Sequence, residues 1–562
     1  MRLSPPSPRS SNLAALQIFF DKLRPDGWTL LVGAIALLIA SPVLVVLMSL
    51  FTPSAEVWQH LVETVLWRYI GNSLALMMGV GIGVITIGVG TAWLVTMCQF
   101  PGRRWFEWAL LLPLAAPAYI LAFTYTEFLE YYGPVQSLLR RLMGWQSAAD
   151  YWFPNIRSLP GAIALLTLTL YAYVYLLARV AFLEQSVCTL EASRSLGCSP
   201  WRSFRRVALP LARPAIAGGT ALALMETLSD FGTVQYFAVD TFTTGIYRTW
   251  FGMGERAAAA QLAAFLMVFV LGLILTEQWF RRQGRYYQAG RRTQSVSRYL
   301  LTGWRQTIAI MTCALPIGLG FALPALLLVQ MSLSNLAQLT DGQFWAYARN
   351  SMLLASTSAG LGVAIALIMA YGLRLRPSAG MSLGVRTAAM GYAIPGSVIA
   401  VGVLVPLGRF DNAVDAWMRA NFGISTGLLL SGTMVALVFA YLVRFLAVAF
   451  NTVEASLGRV KPSLDDAARS LGHSPTATLR KVHAPLIGSG LLTAALLVFV
   501  DVMKELPATL IVRPFNLDTL AVRAYQLAAD ERLAQAALPA LAVVVVGIVP
   551  VILLSRQIQR QA

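Results

Sequence analysis

A chain of 562 residues that is 57% hydrophobic and only 12% charged cannot be one soluble globule or a disordered chain, so much of its apolar surface must face lipid. Its net charge of +17 carries no basic run interleaved with base-stacking aromatics, which argues against nucleic acid and for membrane-flanking loops. Four scattered cysteines (Cys98, Cys188, Cys198, Cys313) and three dispersed histidines (His60, His473, His483) supply neither a disulfide framework nor a metal cluster.

Long apolar runs predict twelve spans. The first six lie near 28–51, 72–97, 105–128, 160–184, 211–232 and 257–280, and the second six near 306–330, 350–373, 386–408, 426–450, 486–507 and 534–555. Arg2, Arg9, Lys22 and Arg24 precede the first run, as in a signal peptide. The run from Trp28 to Phe51 is too long for that and has no small-residue cleavage site, so it is read as a retained helix. With both termini cytoplasmic, 28 of the 43 Lys and Arg fall on inside segments and 12 on outside loops. The other three, Arg179, Arg444 and Lys504, lie within spans. The segment 281–305 carries seven Arg and no acid, and reads as a basic cytoplasmic linker joining residues 1–280 to 306–562.

The halves repeat. Tyr69-Ile-Gly-Asn72-Ser73-Leu74 returns 278 residues later as Tyr347-Ala-Arg-Asn350-Ser351-Met352, and Ala116-Pro117 returns as Ile394-Pro395. Tyr173 to Phe182 matches Tyr441 to Phe450 at an offset of 268, and later landmarks match at 275. The expected fold is therefore an all-α integral membrane protein of about twelve helices in two six-helix halves. An even number of spans between the copies makes the repeat parallel, with a shared pathway between the halves. Gly79, Gly81 and Gly83 lie inside an apolar span and are expected to make a close helix–helix contact.

Two cytoplasmic loops carry the sharpest local signal. Glu191-Ala192-Ser-Arg-Ser195-Leu-Gly197-Cys-Ser199-Pro200 continues to Leu209-Pro210, and Asp466-Ala467-Ala-Arg-Ser470-Leu-Gly472-His-Ser474-Pro475 continues to Ala484-Pro485. Gly197 and Gly472 can close a helix in the left-handed conformation, and Ser199 and Ser474 can cap the next one. Pro200 and Pro475 suit its first position, where a missing N–H costs nothing, and Pro210 and Pro485 are expected to end it.

These loops resemble the "EAA" loop of ABC-importer permeases, with Asp466 for the Glu and Ala484 for the Leu in the second copy. The likeness runs from about residue 65 to 275 and from about 345 to 555 and beyond. It implies a type I ABC-importer permease fold in which Glu191, Ala192, Gly197, Pro210, Asp466, Ala467, Gly472 and Pro485 belong to two coupling loops. The implied partners are two copies of an ABC ATPase, a periplasmic solute-binding protein and the lipid bilayer of a bacterial inner membrane. The chain has no GxxxxGK[ST] loop and no catalytic motif, so it is expected to bind no cofactor itself, and the partner uses the ATP.

Acids near the ends of spans are costly unless they act. Glu226 and Asp501 are equivalent, as are Asp230 and Glu505, so they are candidate pathway residues, with ion pairing to Lys504 as the competing role. The stretches from Asp230 to Arg248 and from Lys504 to Leu520 resemble the fused permeases of ferric-iron importers. Thiamine, another metal chelate or an oxyanion stays open as cargo. A secondary transporter driven by an ion gradient is the alternative of another class, but it leaves the paired turn motifs unexplained.

Overall fold

A computed structural model describes residues 27–51, 55–184, 195, 199–283, 298–375 and 377–561. Among these residues ten helices are long and apolar enough to cross a membrane: Gly27–Phe51, Leu66–Met97, Leu159–Leu183, Pro200–Ser229, Arg256–Trp279, Trp304–Leu333, Gly342–Leu375, Gly396–Phe422, Met434–Leu457 and Leu533–Leu553. Two bent pairs, Arg103–Ala115 with Ala118–Met143 and Pro475–Leu486 with Gly488–Met503, bring the number to the expected twelve when each is counted as one broken span. We number them 1 to 12 in chain order.

Their composition explains their placement. Span 1 buries Val32, Ala36, Ile39, Pro42 and Val46 but leaves Leu30, Leu37 and Leu38 about 60% exposed, the two-sided apolarity of a helix touching protein on one face and lipid on the other. Spans 2 and 4 approach closely along a glycine stripe. A Cβ on Gly79 would come within 2.7 Å of Ile163, and one on Gly83 within 2.5 Å of Thr167. Gly88 meets the backbone of Tyr171 and Tyr175 in the same way, so the expected close contact is present at Gly79 and Gly83 and recurs at Gly88, whereas Gly81 faces Leu224 of span 5 at an ordinary 3.6 Å. Among the described residues the sheet is minimal: Cys98–Gln99 pairs in parallel with Tyr299–Leu300, where the chain returns from the basic segment.

Beyond shifts of several residues at the ends, four spans are broken or continued where hydropathy shows nothing. Span 3 does not run straight from 105 to 128: it breaks between Ala115 and Ala118, at Pro117, and turns by 91°. Its counterpart near 386–408 is likewise broken at Pro395, so a short helix, Ala379–Ala388, precedes a continuous Gly396–Phe422. Proline removes a backbone donor and pushes its predecessor towards extended backbone, which hydropathy cannot register. Span 5 begins at Pro200 rather than near 211, because Pro210 does not end the helix. Phe204–Ala208 widens into a π turn in which the Leu209 N–H reaches the Phe204 carbonyl, leaving room for Pro210 inside a continuous helix. In span 11 a π turn over Leu479–His483 also precedes Pro485, but there the chain breaks at Ile487 and bends by 79°.

The duplication is visible in hydrogen bonds as well as in sequence. Asn72 donates its side-chain amide to the Asp240 carbonyl at 2.8 Å, and Asn350 donates to the Asp518 carbonyl at 3.1 Å. Both bonds join the start of a half's second helix to a loop 168 residues later.

Candidate functional site

The ends of spans 5 and 11 meet the broken start of span 3 and the middle of span 4 around a cavity of about 130 Å³. All four acids named from the sequence, Glu226, Asp230, Asp501 and Glu505, line it, together with the cations Arg444 and Lys504. Its wall carries four carboxylates against two cations, with side chains from both halves.

Two of the carboxylates have the same local job. Asp230 accepts from the N–H groups of Thr233 and Val234, both at 3.1 Å, and so opens the short helix Gly232–Tyr236. Glu505, its repeat partner, accepts from Ala508 at 2.9 Å and Thr509 at 3.0 Å, opening Pro507–Val512. A carboxylate at a helix start satisfies orphan N–H groups and complements the helix dipole. Glu505 also faces Arg444 at 3.6 Å, and both side chains are less than a tenth exposed.

Arg444 ties the halves together. Its Nη2 donates to Ser229 Oγ at 2.9 Å, and the Gly396 N–H donates to the same oxygen at 3.4 Å. A Cβ on Gly396 would lie 2.2 Å from Arg444 Nη1 and 2.9 Å from Glu505 Oε1, so a side chain there would displace the guanidinium from its present place. A second link across the halves is the Tyr173–Tyr392 hydroxyl pair at 3.3 Å. Lys504 Nζ lies 2.9 Å from Asp501, while Glu226 makes no hydrogen bond or ion pair among the described residues. Arg444 and Lys504 were legible as charges inside apolar spans. Tyr119, Tyr173 and Tyr392 were not singled out, because a tyrosine in a span is ordinary until the fold gathers several.

The paired loops form the other candidate site. Glu191, Ala192 and Gly197 lie outside the described residues, whereas the second copy is described throughout. Ser463–Ser470 is helical and buries only Ala468, leaving Asp466, Ala467 and Leu471 exposed. Gly472 has φ +77°, the left-handed closure expected of it. Ser199 and Ser474 cap as expected, accepting from the N–H of Arg202 and of Ala477, with Pro200 and Pro475 at the first helical position. Asp466 pairs with Arg469 at 2.6 Å on the exposed face.

Sequence reasoning missed what holds this second loop down. Arg374, at the end of span 8, donates to Asp465 at 2.7 and 3.0 Å and to the carbonyls of Leu457 and Val460. The fully buried His483 meets the other Asp465 oxygen at 2.6 Å. Burial alone would raise the Asp465 carboxyl, but hydrogen bonds and charge from Arg374 and His483 hold it below the usual carboxylate range.

The family model of the binding-protein-dependent transport system inner membrane component matches residues 27–278 and 362–561. The chain is 28% identical over 548 residues to the Fe(3+)-transport system permease protein FbpB 2 of Haemophilus influenzae, covering 95% of this chain and 99% of that one. It is 24% identical over 479 residues to the ferric transport system permease protein FbpB of Actinobacillus pleuropneumoniae, covering 82% and 66%. The molybdenum transport system permease protein ModB of Escherichia coli is 26% identical over 226 residues, which is 39% of this chain and 93% of ModB.

Proposed function

The chain belongs to the binding-protein-dependent transport system inner membrane component family, as a multi-pass membrane permease, and from that premise we propose that it carries ferric iron in an ATP-driven importer. The observation that carries the cargo reading is the cavity between the halves, whose four carboxylates outnumber its two cations. Such a wall attracts a cation and repels an oxyanion, which weighs against a molybdate- or sulfate-like cargo. Relatives named for ferric transport along nearly the full chain point the same way.

In this reading a periplasmic binding protein delivers the iron, and two ATPase copies dock on the loops 186–209 and 461–484. The bias of Lys and Arg supports placing those loops, the linker and both termini in the cytoplasm. The second loop suits docking, since its helix exposes Asp466, Ala467 and Leu471 while its base is fixed to span 8. Closure of the ATPases on ATP would move both loops and switch the halves between inward- and outward-facing states. Hydrolysis would return them. The sequence carries no GxxxxGK[ST] loop, so in this reading the partner performs the ATP chemistry and this chain is the moving pathway.

The test is radiolabelled ferric-iron uptake in cells lacking other iron routes. It compares wild type, a deletion, and a Gly197→Pro, Gly472→Pro double variant checked for membrane level. Uptake lost in both the deletion and the double variant supports iron import driven through the loops. Wild-type uptake in the deletion removes iron as cargo and directs the assay to thiamine and oxyanions. Loss in the deletion alone keeps iron and overturns the coupling role.

A further inference from the structure

The four carboxylates of the cavity fall into two kinds. Asp230 and Glu505 are committed to the helices they open, whereas Glu226 is unpartnered among the described residues and Asp501 has a single ionic partner, Lys504. Lys504 is one of four lysines in the chain, and the others, Lys22, Lys461 and Lys481, lie outside the apolar runs. Its repeat counterpart is Ser229, so the duplicated halves diverged here by one positive charge. Tyr173 lines the same cavity as Lys504, Glu226 and Asp501. Tyr119, only 5% exposed, also lines the cavity, and its hydroxyl has no hydrogen-bond partner. The cavity thus gathers the oxygens of Glu226, Asp501, Tyr119 and Tyr173 on the same wall as one ammonium on a flexible four-carbon stem.

We propose that Lys504 is a tethered counter-cation. Between transport cycles it occupies the place through which a hard, multivalent cation passes, with Glu226, Asp501 and the cavity phenols as oxygen donors. The inference rests on the reading of the cavity as the pathway. Uncompensated carboxylates inside a membrane are costly, and a resident ammonium neutralises one of them while no cargo is present. An arriving cation of higher charge competes for the same oxygens, and the lysine stem lets the ammonium swing aside and return. Hard cations favour such carboxylate and phenol oxygens. Among the described residues no three His, Cys, Asp or Glu side chains are gathered to hold a metal.

The full-length permease in phosphatidylcholine nanodiscs can be titrated with Tb³⁺, a hard trivalent ion whose emission a neighbouring tyrosine sensitises. Removing one positive charge at contact distance, by Lys504→Met, should tighten Tb³⁺ binding about tenfold or more, and Lys504→Arg should leave it as in wild type. Adding Glu226→Gln and Asp501→Asn to Lys504→Met should abolish the gain. Unchanged binding in Lys504→Met, or a gain that survives in the triple variant, overturns the proposal. Glu226→Gln alone breaks no contact, so it keeps the question decidable if Lys504→Met fails to fold: it should weaken Tb³⁺ binding about tenfold, and equal binding overturns the proposal. The functional reading fails separately. Tb³⁺ behaviour as expected in a permease that takes up no iron keeps the site and removes ferric iron as cargo. Iron uptake by wild type with no Tb³⁺ response to either variant removes the site and leaves the importer.

Discussion

The first half seats the helix that follows its turn, from Pro200 onward, on aromatic rings, and the second half seats its loop on an ionic cluster. Phe204 packs at 4.7 Å against Trp93, which also meets Phe182 edge-on at 5.6 Å. The repeat counterparts of these three are Leu479, Tyr371 and Phe450, and Tyr371 instead stacks obliquely on His483 at 5.3 Å. Where the second half holds Arg374, Asp465 and His483, the first has Thr96, Leu190 and Ala208. A second exchange runs the other way. Glu107 is held between Arg103 and Arg179 in the first half, with all three side chains at most 16% exposed, and the second half has Met381, Val385 and Ala447 at those positions. Each half therefore keeps one ionic cluster near its loop-bearing end and has moved it to a different joint. One backbone plan tolerates both because what must be conserved is a rigid joint, and either apolar packing or a satisfied charge network supplies it.

The comparison breaks most visibly at Asp465. Asp465→Asn leaves the Arg374 guanidinium half-buried without its carboxylate, and should destabilise the second loop by about 3 kcal/mol, roughly two orders of magnitude in amide exchange over 457–486. Removing the whole cluster, as Arg374→Thr, Asp465→Leu and His483→Ala, installs the residues of the first half. It should recover part of that loss, because no charge is then stranded. A triple variant no better protected than Asp465→Asn would mean that the second joint depends on its ions and cannot be rebuilt on apolar packing.

Acid should divide the two joints next. Asp465 is held below the usual carboxylate range, so its contribution is complete above its unfolded value of about 4 and is lost as pH falls through the lower folded value. Exchange corrected for intrinsic rate should show constant protection of 457–486 from neutral pH to about 5, then a decline below about 4 towards the Asp465→Asn level. The segment 199–210, seated on Trp93 and Phe204, should show no such step. Parallel decline in both segments would place the acid-sensitive group elsewhere.

These differences also mark what could be read from the chain. Twelve spans were legible because a run of twenty apolar residues has few alternatives. The paired turns were legible because Gly, Ser and Pro act on their immediate neighbours: Gly472, Ser199 and Ser474 take the expected roles, whereas Pro210 stays inside its helix because a π turn makes room for it. The breaks at Pro117 and Pro395 were harder, since each lies inside an apolar run and hydropathy sees no interruption. The acids of the cavity could be named from their cost in lipid, but their division into helix openers and free carboxylates depends on where Gly232–Tyr236 and Pro507–Val512 begin. Arg374 and Asp465 are 91 residues apart, and Tyr173 and Tyr392 are 219 apart, so neither pair leaves a periodic trace in the sequence.

The smallest expected effects fall where the halves agree. Ser199 and Ser474 cap their helices with nearly the same backbone, at φ −62°, ψ 158° and φ −66°, ψ 159°. Each side chain accepts one N–H of a short helix that proline already starts, so replacing either serine by alanine should cost about 1 kcal/mol. The two losses should be equal within about 0.5 kcal/mol if the cap is independent of the joint beneath it. Paired exchange measurements on Ser199→Ala and Ser474→Ala decide this. A markedly larger cost at Ser474 would show that the cap and the Arg374–Asp465–His483 cluster act as one unit, because a frayed helix start would then loosen His483 nine residues later. Equal costs would confine the divergence of the halves to their joints and leave the turns themselves as interchangeable parts.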